Sequence, residues 1–250
     1  MLKIILSGAC GKMGRVIAEA VKNDSNCEII AGVDISCGDG LDFPVYQNFS
    51  ALPKADVIID FSHPSVLDNL LNFAISNNIP TVVATTGFND SEIEKIKAAA
   101  NQIPLFFTFN MSLGVNLLVS LAKKATEVLG DSFDIEIIEK HHNQKIDAPS
   151  GTAIMLANAI NEQMENGMIY EYDRHSKRQK RAKNEIGMHS VRGGTIVGEH
   201  EVLFAGPNEC VTISHSAGSR EILANGAICA AQFLVEKKPG LYSMKDIFED

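Results

Sequence analysis

The stretch Lys3–Arg15, KIILSGACGKMGR, decides the fold. Its first five residues form a short apolar run that reads as a buried strand. Gly8, Gly11 and Gly14 then fall at G-x-x-G-x-x-G spacing. Val16, Ile17, Ala20 and Val21 follow at helical spacing. A strand running through glycines into a helix serves a specific physical need. Glycines permit the tight turn and let the backbone approach a pyrophosphate, while the helix N-terminus offers N–H groups and the positive end of its dipole. Such a triplet also occurs as a bare tight turn, so it is read with its surroundings.

Outward from this turn the strand–helix pattern repeats. Glu28–Asp34 and Ala55–Phe61 read as strands, and a helix with Val66, Leu67, Leu70, Leu71 and Ala74 on one face follows Pro64. Thr81–Thr85 and Pro104–Phe109 are further strands, with a helix between them starting near Asn89–Glu92. Apolar strands alternating with helices indicate a parallel sheet covered on both faces. Asp34 ends the second strand, where a carboxylate accepts hydrogen bonds from adenosine ribose hydroxyls.

The pattern changes after about residue 112. Ser112–Leu129 reads as a long helix stopped by Gly130, Phe133–Glu139 as a strand and Ser150–Glu165 as a helix. Three strand-like runs follow, Glu185–Arg192, Thr195–Ala205 and Cys210–Ala217, joined by Gly193-Gly194 and Gly206-Pro207-Asn208. The alternation in Val211–Ser216 suits an antiparallel sheet with one less buried face. Arg174–Lys183, rich in cations and without apolar pattern, reads as an exposed loop, and Ser219–Glu236 as a helix returning to the first domain.

Composition narrows the function. The 250 residues are 45% hydrophobic and 21% charged, enough for a packed core. A net charge of −9 argues against a nucleic-acid partner, although a few local cations suffice for a small anion. The five cysteines, Cys10, Cys27, Cys37, Cys210 and Cys229, are odd in number and lack C-x-x-C spacing. Neither a disulfide framework nor a metal site is expected, and reduced thiols fit the cytoplasm. No signal peptide is expected, and the apolar run Ala227–Val235 is too short to span a membrane.

The densest chemistry lies in Glu139–Thr152, EKHHNQKIDAPSGT, which leaves a strand and enters a helix. His141, His142 and Lys145 offer proton donors and anion-binding groups. Ser150 reads as an N-cap, which places Gly151 and Thr152 in a helical first turn suited to a carboxylate. Two adjacent histidines are a poor metal pair. A solvated polar loop before a capped helix is the plainer reading of the same residues. Together with the glycine turn, the segment points to hydride transfer from a nicotinamide dinucleotide to a small anion. Another amino-acid-type dehydrogenase and a non-catalytic dinucleotide sensor are the alternatives.

These motifs carry a resemblance. With DFSHP (60–64), TTGF (85–88), FNMSLGVN (109–116), EIGMHSVRGGTIVGEHEV (185–202) and ANGA (224–227), the chain resembles the dihydrodipicolinate (4-hydroxy-tetrahydrodipicolinate) reductase family nearly end to end. The resemblance implies an α/β protein with a Rossmann-type dinucleotide-binding domain over 1–111 and 219–250. It implies an inserted α+β substrate-binding and tetramerisation domain over 112–218, with an open mixed sheet. It assigns acid/base chemistry to His141, proton donation to Lys145 and carboxylate binding to His142, Gly151 and Thr152. It places the cofactor on Gly8, Ala9, Cys10, Gly11, Lys12, Met13 and Asp34, on Ala84, Thr85 and Thr86, and on Thr108, Phe109, Asn110 and Met111. The substrate it implies is a cyclic imine bearing two carboxylates, on the diaminopimelate route to lysine, and the assembly a homotetramer. The chain departs from the family pattern at Ala84, where glycine is usual, and at Ser176 and Gln179 in the basic loop. Asp34 followed by Ile35 rather than an arginine predicts NADH over NADPH with some use of both, against a smaller pull from Lys12 and Arg15.

Overall fold

The computed structural model describes residues 1–36 and 40–249. The chain runs β1 (Leu2–Ser7), α1 (Lys12–Lys22), β2 (Cys27–Val33), β3 (Val45–Tyr46), β4 (Val57–Asp60), α2 (Leu67–Asn77), β5 (Thr81–Val83), α3 (Asp90–Ala99) and β6 (Pro104–Phe107). It continues through α4 (Leu113–Leu129), β7 (Asp134–His141), α5 (Gly151–Asn161), β8 (Ile169–Glu171), β9 (Glu185–Arg192), β10 (Gly198–Ala205) and β11 (Cys210–Ala217). It ends with α6 (Glu221–Leu234), β12 (Gly240–Tyr242) and α7 (Met244–Glu249). Two compact units result, one of Met1–Leu113 with Arg220–Asp250 and the other of Gly114–Ser219.

In the first unit the described residues form a seven-stranded sheet in the order β12-β6-β5-β4-β1-β2-β3, with every pairing parallel. The order reverses between β1 and β4, the topological switch point of a doubly wound fold. Both faces are buried. Ile4, Leu6, Val57, Ile59 and Phe106 pack with Ile17 and Val21 of α1 and Ala227, Ala231 and Leu234 of α6. Ile5, Ile58, Val83 and Leu105 pack on the other side with Leu70 and Ala74 of α2 and Ile96 of α3. This explains why the strands read as unbroken apolar runs. Asn89 and Glu92 close a reciprocal capping box at the start of α3. A Cβ on Gly226 would strike the Met111 carbonyl, so α6 lies on backbone at the small residues of ANGA.

In the second unit the described strands form a five-stranded sheet, β11-β10-β7-β9-β8. Alternate residues of β7 and β10 are buried. Ile135, Ile137, Val202 and Phe204 pack against Leu118 and Ala122 of α4 and Leu156 and Ile160 of α5. The sheet is mixed. β7 is antiparallel to β10 but parallel to β9, and β8 is parallel to β9. This is the open mixed sheet that the resemblance implied, and Val211–Ser216 lies in its antiparallel part. Gly206–Asn208 does close the β10–β11 hairpin, whereas β7 lies between β9 and β10. Gly193 donates its N–H to the His141 carbonyl at 2.9 Å, and Asn143 donates to Gly194 at 3.2 Å. The diglycine thus extends the pairing of β7 with β9.

The basic segment 174–183 has no helix or strand, but its cations are not merely solvated. Arg181 is 16% exposed and reaches Glu136 at 3.0 Å, Asp134 at 2.9 Å and the Ile135 carbonyl at 2.9 Å. Arg174 pairs with Glu185 at 2.6 Å, and Lys177 pairs with Glu171. The helix expected over Ser150–Glu165 stops at Asn161, whose side-chain oxygen accepts the Met168 N–H at 2.6 Å and turns the chain toward β8. Cys10, Cys27, Cys210 and Cys229 are free thiols; Cys37 lies outside the described residues. Among the described residues no helix is long and apolar enough to cross a membrane.

Candidate functional site

In the first unit, four of the predicted segments gather at the carboxyl ends of β1, β2, β5 and β6. Gly8 has φ +80°, and a Cβ there would lie 2.9 Å from Ser62 Cα and closer still to the Phe61 carbonyl. A Cβ on Gly14 would press into the Gly8 carbonyl and stand 2.6 Å from that of Ala9. The first glycine therefore brings the turn onto the β4 end, and the third seats α1 on the turn. Gly11 is the α1 N-cap and supplies no side-chain acceptor. The start of the helix is left to backbone donors, the arrangement a pyrophosphate requires. The turn, packed too closely at Gly8 and Gly14 for a side chain, leads directly into these backbone donors and so fits a dinucleotide.

Asp34 is held in place by its carboxylate, which accepts the Cys10 N–H at 2.9 Å and the Ser36 N–H at 3.3 Å. Each carboxylate oxygen retains further acceptor capacity for a ribose hydroxyl. A cavity of about 540 Å³ beside it is lined by Gly8, Gly11, Asp34, Ile35, Ser62 and His63, among others. Ile35 is 86% exposed. Lys12 is exposed in the first turn of α1, with half-buried Met13 beside it. Ala9 and Met111 bury their side chains in the core, so only their backbones are available to a ligand. Ala84 and Thr85 are buried, while Thr86 and Phe109 are exposed. Thr108 donates from its hydroxyl to the Asn110 carbonyl at 3.2 Å, and Asn110 accepts the Ser112 N–H at 2.8 Å.

Sequence reasoning missed Asp60. Buried at 2% exposure, its carboxylate accepts the hydroxyls of Ser62 and Thr85, both at 2.6 Å. Thr85 in turn accepts the Ser62 N–H at 2.8 Å. Burial pushes the Asp60 carboxyl up, and these hydroxyls oppose it. The signal was available in DFS beside TTG, but only the parallel pairing of β4 with β5 brings the two motifs together.

The second unit gathers its candidates at the end of β7. His141 is buried at 9% exposure. Its Nδ1 lies 2.5 Å from Glu139 Oε2. Further groups hold Glu139. Arg192 forms a two-pronged pair with it at 2.7 and 2.8 Å, and the Ser150 N–H donates at 3.2 Å. Burial works against a charged Glu139, yet hydrogen bonds from Arg192, Ser190 and His141 prevail and hold the carboxyl at about 2. Arg192 also donates to the Asp147 carbonyl at 2.7 Å, tying down the loop that carries Lys145. Lys145 Nζ donates to Asp147 Oδ1 at 2.8 Å. Half-buried His142 follows directly on β7.

Ser150 is the N-cap of α5, accepting the Ala153 N–H at 3.2 Å, with Gly151 and Thr152 in the first turn. Its hydroxyl also contacts His200 Nε2 at 2.9 Å. His200 stacks edge-on to His141, with ring centroids 5.2 Å apart. Burial, reinforced by the nearby His141, lowers His200 to about 4. Glu139, Arg192 and His200 were the second group missed. They come from three adjacent strands, and nothing in their spacing along the chain announces the meeting.

Geometry of this kind places the chain among the nicotinamide-dinucleotide-dependent oxidoreductases, with the Rossmann half doubly wound and the other half offering acid/base and anion-binding groups. The comparisons with known proteins narrow the class. Residues 2–111 match the family described as dihydrodipicolinate reductase, N-terminus, and residues 114–248 match dihydrodipicolinate reductase, C-terminus. The 4-hydroxy-tetrahydrodipicolinate reductase of Caldanaerobacter subterraneus subsp. tengcongensis is 52% identical over 99% of this chain and 98% of its own. That of Clostridium novyi is 44% identical over 100% and 99%. A solved structure of dipicolinate-bound dihydrodipicolinate reductase from Paenisporosarcina sp. TG-14 covers 99% of both chains with a TM-score of 0.83 and 26% identity. The chain belongs to the dihydrodipicolinate reductase family, enzymes of the diaminopimelate route to lysine.

Proposed function

We propose that this chain reduces 4-hydroxy-tetrahydrodipicolinate to tetrahydrodipicolinate, the 4-hydroxyl leaving as water, with His141 and Lys145 as its proton-handling groups. The observation that carries the assignment is the grouping in the second unit of His141, Lys145 and the capped start of α5 within Lys140–Thr152. His142 and the Gly151–Thr152 turn bind the substrate carboxylates, where a helix N-terminus favours negative charge. A relative that binds dipicolinate, itself a ring dicarboxylate, supports this ligand chemistry.

When bound, the reduced nicotinamide supplies the hydride. Gly8–Met13 hold its pyrophosphate by backbone, Asp34 its adenosine ribose, and 84–86 and 108–111 the remaining contacts. Negative charge that develops on the reduced ring is met by a cation, Lys145 or protonated His141, which then delivers the proton. Asp34 repels a ribose 2′-phosphate, so NADH is favoured over NADPH by roughly tenfold, equivalent to ~1.4 kcal/mol. The assembly is a homotetramer built through the sheets of the second unit. Val211 on the edge strand β11 is 36% exposed and Val191 on β9 is 45% exposed, and an exposed sheet edge is normally covered.

The deciding experiment follows oxidation of the reduced cofactor in the presence of the condensation product of pyruvate and aspartate semialdehyde. Turnover that requires that product supports the assignment, and oxidation indifferent to it refutes it. Light scattering that returned the protomer mass at micromolar concentration would overturn the tetramer.

A further inference from the structure

We propose that Glu139 and Arg192 are positioning residues that fix the tautomer of His141, keeping its Nδ1 protonated and its Nε2 as the nitrogen that exchanges protons with substrate. The proposal rests on the reading of His141 as the acid/base group and goes beyond it by assigning which nitrogen acts and why.

Glu139 has a side chain only 1% exposed and is gripped by both terminal nitrogens of Arg192. An ionised carboxylate only accepts hydrogen bonds. The hydrogen in the 2.5 Å contact must therefore sit on His141 Nδ1. That leaves Nε2 as the free position, a lone pair in the neutral ring and an N–H in the cation. Gly198 faces this atom. A Cβ there would stand 3.1 Å from Nε2, so the glycine keeps the nitrogen open. Glu139 on its own strand and His200 on β10 meet the ring directly, and Arg192 on β9 acts on it through Glu139.

The pair does more than orient one ring. Glu139 Oε1 accepts from Ser150 at the start of α5, and Arg192 holds the Asp147 carbonyl beside Lys145. One buried ion pair therefore sets the positions of the histidine, the lysine loop and the carboxylate-binding turn. Arg192 Nη1 and Nη2 fit the carboxylate in parallel, a geometry lysine cannot reproduce.

The test begins with the intact wild-type protein. Ring-15N histidine spectra at about pH 8.5, where ordinary histidines are neutral, are assigned by comparison with His141→Gln. The expected result is a protonated Nδ1 on His141; a protonated Nε2 overturns the proposal. This outcome does not depend on turnover, so it stands apart from any failure of the reductase assay. Glu139→Gln places an amide N–H where the carboxylate was and should move the proton to Nε2. Its kcat should fall by about 100-fold, with KM for the cofactor within about twofold. Glu139→Asp keeps the charge and should retain the Nδ1 proton and more turnover than Glu139→Gln. Equal losses in the two variants with the tautomer unchanged would reduce the pair to a structural support and refute the proposal. If Glu139→Gln does not fold, the wild-type and Glu139→Asp spectra decide the matter.

Discussion

Acid should weaken the second unit through His200 before it reaches Glu139. His200 is 5% exposed, and burial lowers it from 6.5 to about 4 in the folded protein. The unfolded chain takes up its proton near 6.5, while the folded chain resists until about 4. The neutral ring's contribution is thus complete above 6.5 and is lost as pH falls through that window. A difference of roughly 2.5 units at 1.36 kcal/mol each is about 3 kcal/mol, of which about 2 is lost by pH 5. Glu139 acts lower, between its ordinary 4.5 and about 2, so the two effects separate. The assay is urea unfolding by far-ultraviolet circular dichroism at about pH 7.5, 6 and 5, since the chain has no tryptophan. Protein concentration must be held fixed, because assembly shifts apparent stability. His200→Gln should lower stability at neutral pH yet lose less of what remains on going to pH 5. An equal fall in wild type and variant would refute the burial argument.

Lys145→Ala should lower kcat by ~100- to 1,000-fold with little change in cofactor KM; near-native turnover would remove Lys145 from the proton-handling groups. Gly14→Ala should cost about 3 kcal/mol or more and raise cofactor KM, because the new Cβ meets two carbonyl oxygens of the turn; a wild-type melting temperature would contradict this packing. Ile35→Arg, at a side chain 86% exposed, should leave stability within about 0.5 kcal/mol and raise kcat/KM for NADPH more than for NADH. An unchanged ratio would show that the cofactor choice is made elsewhere.

The first unit was legible because its signals are local. An apolar run, three glycines and a helical stripe lie within Lys3–Val21, and Asn89 with Glu92 marks a helix start within four residues. β3 and β12 carry too few residues to show a period, with two and three respectively. They gain strand geometry from neighbours already in place. The second unit was legible element by element but not in its pairing. The turn Gly206–Asn208 announces a hairpin, whereas Gly193-Gly194 looks the same and yet spans β7. What separates them is the register of a strand some fifty residues earlier, as in Glu139 opposite Ser190, and no window of sequence contains both.

The same limit shaped the reading of the site. Histidines and a lysine near a helix start are visible as a cluster, but their availability depends on which charges are already committed. The ion pairs divide clearly. Glu139 is almost fully enclosed, and separating a buried pair by deleting one partner costs about 3–5 kcal/mol, so Arg192 is spent on structure and is not free for a substrate carboxylate. The Lys145–Asp147 pair is different, because Asp147 is 61% exposed and Lys145 is 21% exposed. Exposed pairs are worth roughly 0–1 kcal/mol, so Lys145 can exchange Asp147 for a substrate anion at little cost. A chain of net charge −9 can in this way offer a cation to a dicarboxylate. The buried pair holds the frame, and under the proposed role of Lys145 the more exposed pair is the one for which a substrate carboxylate would compete.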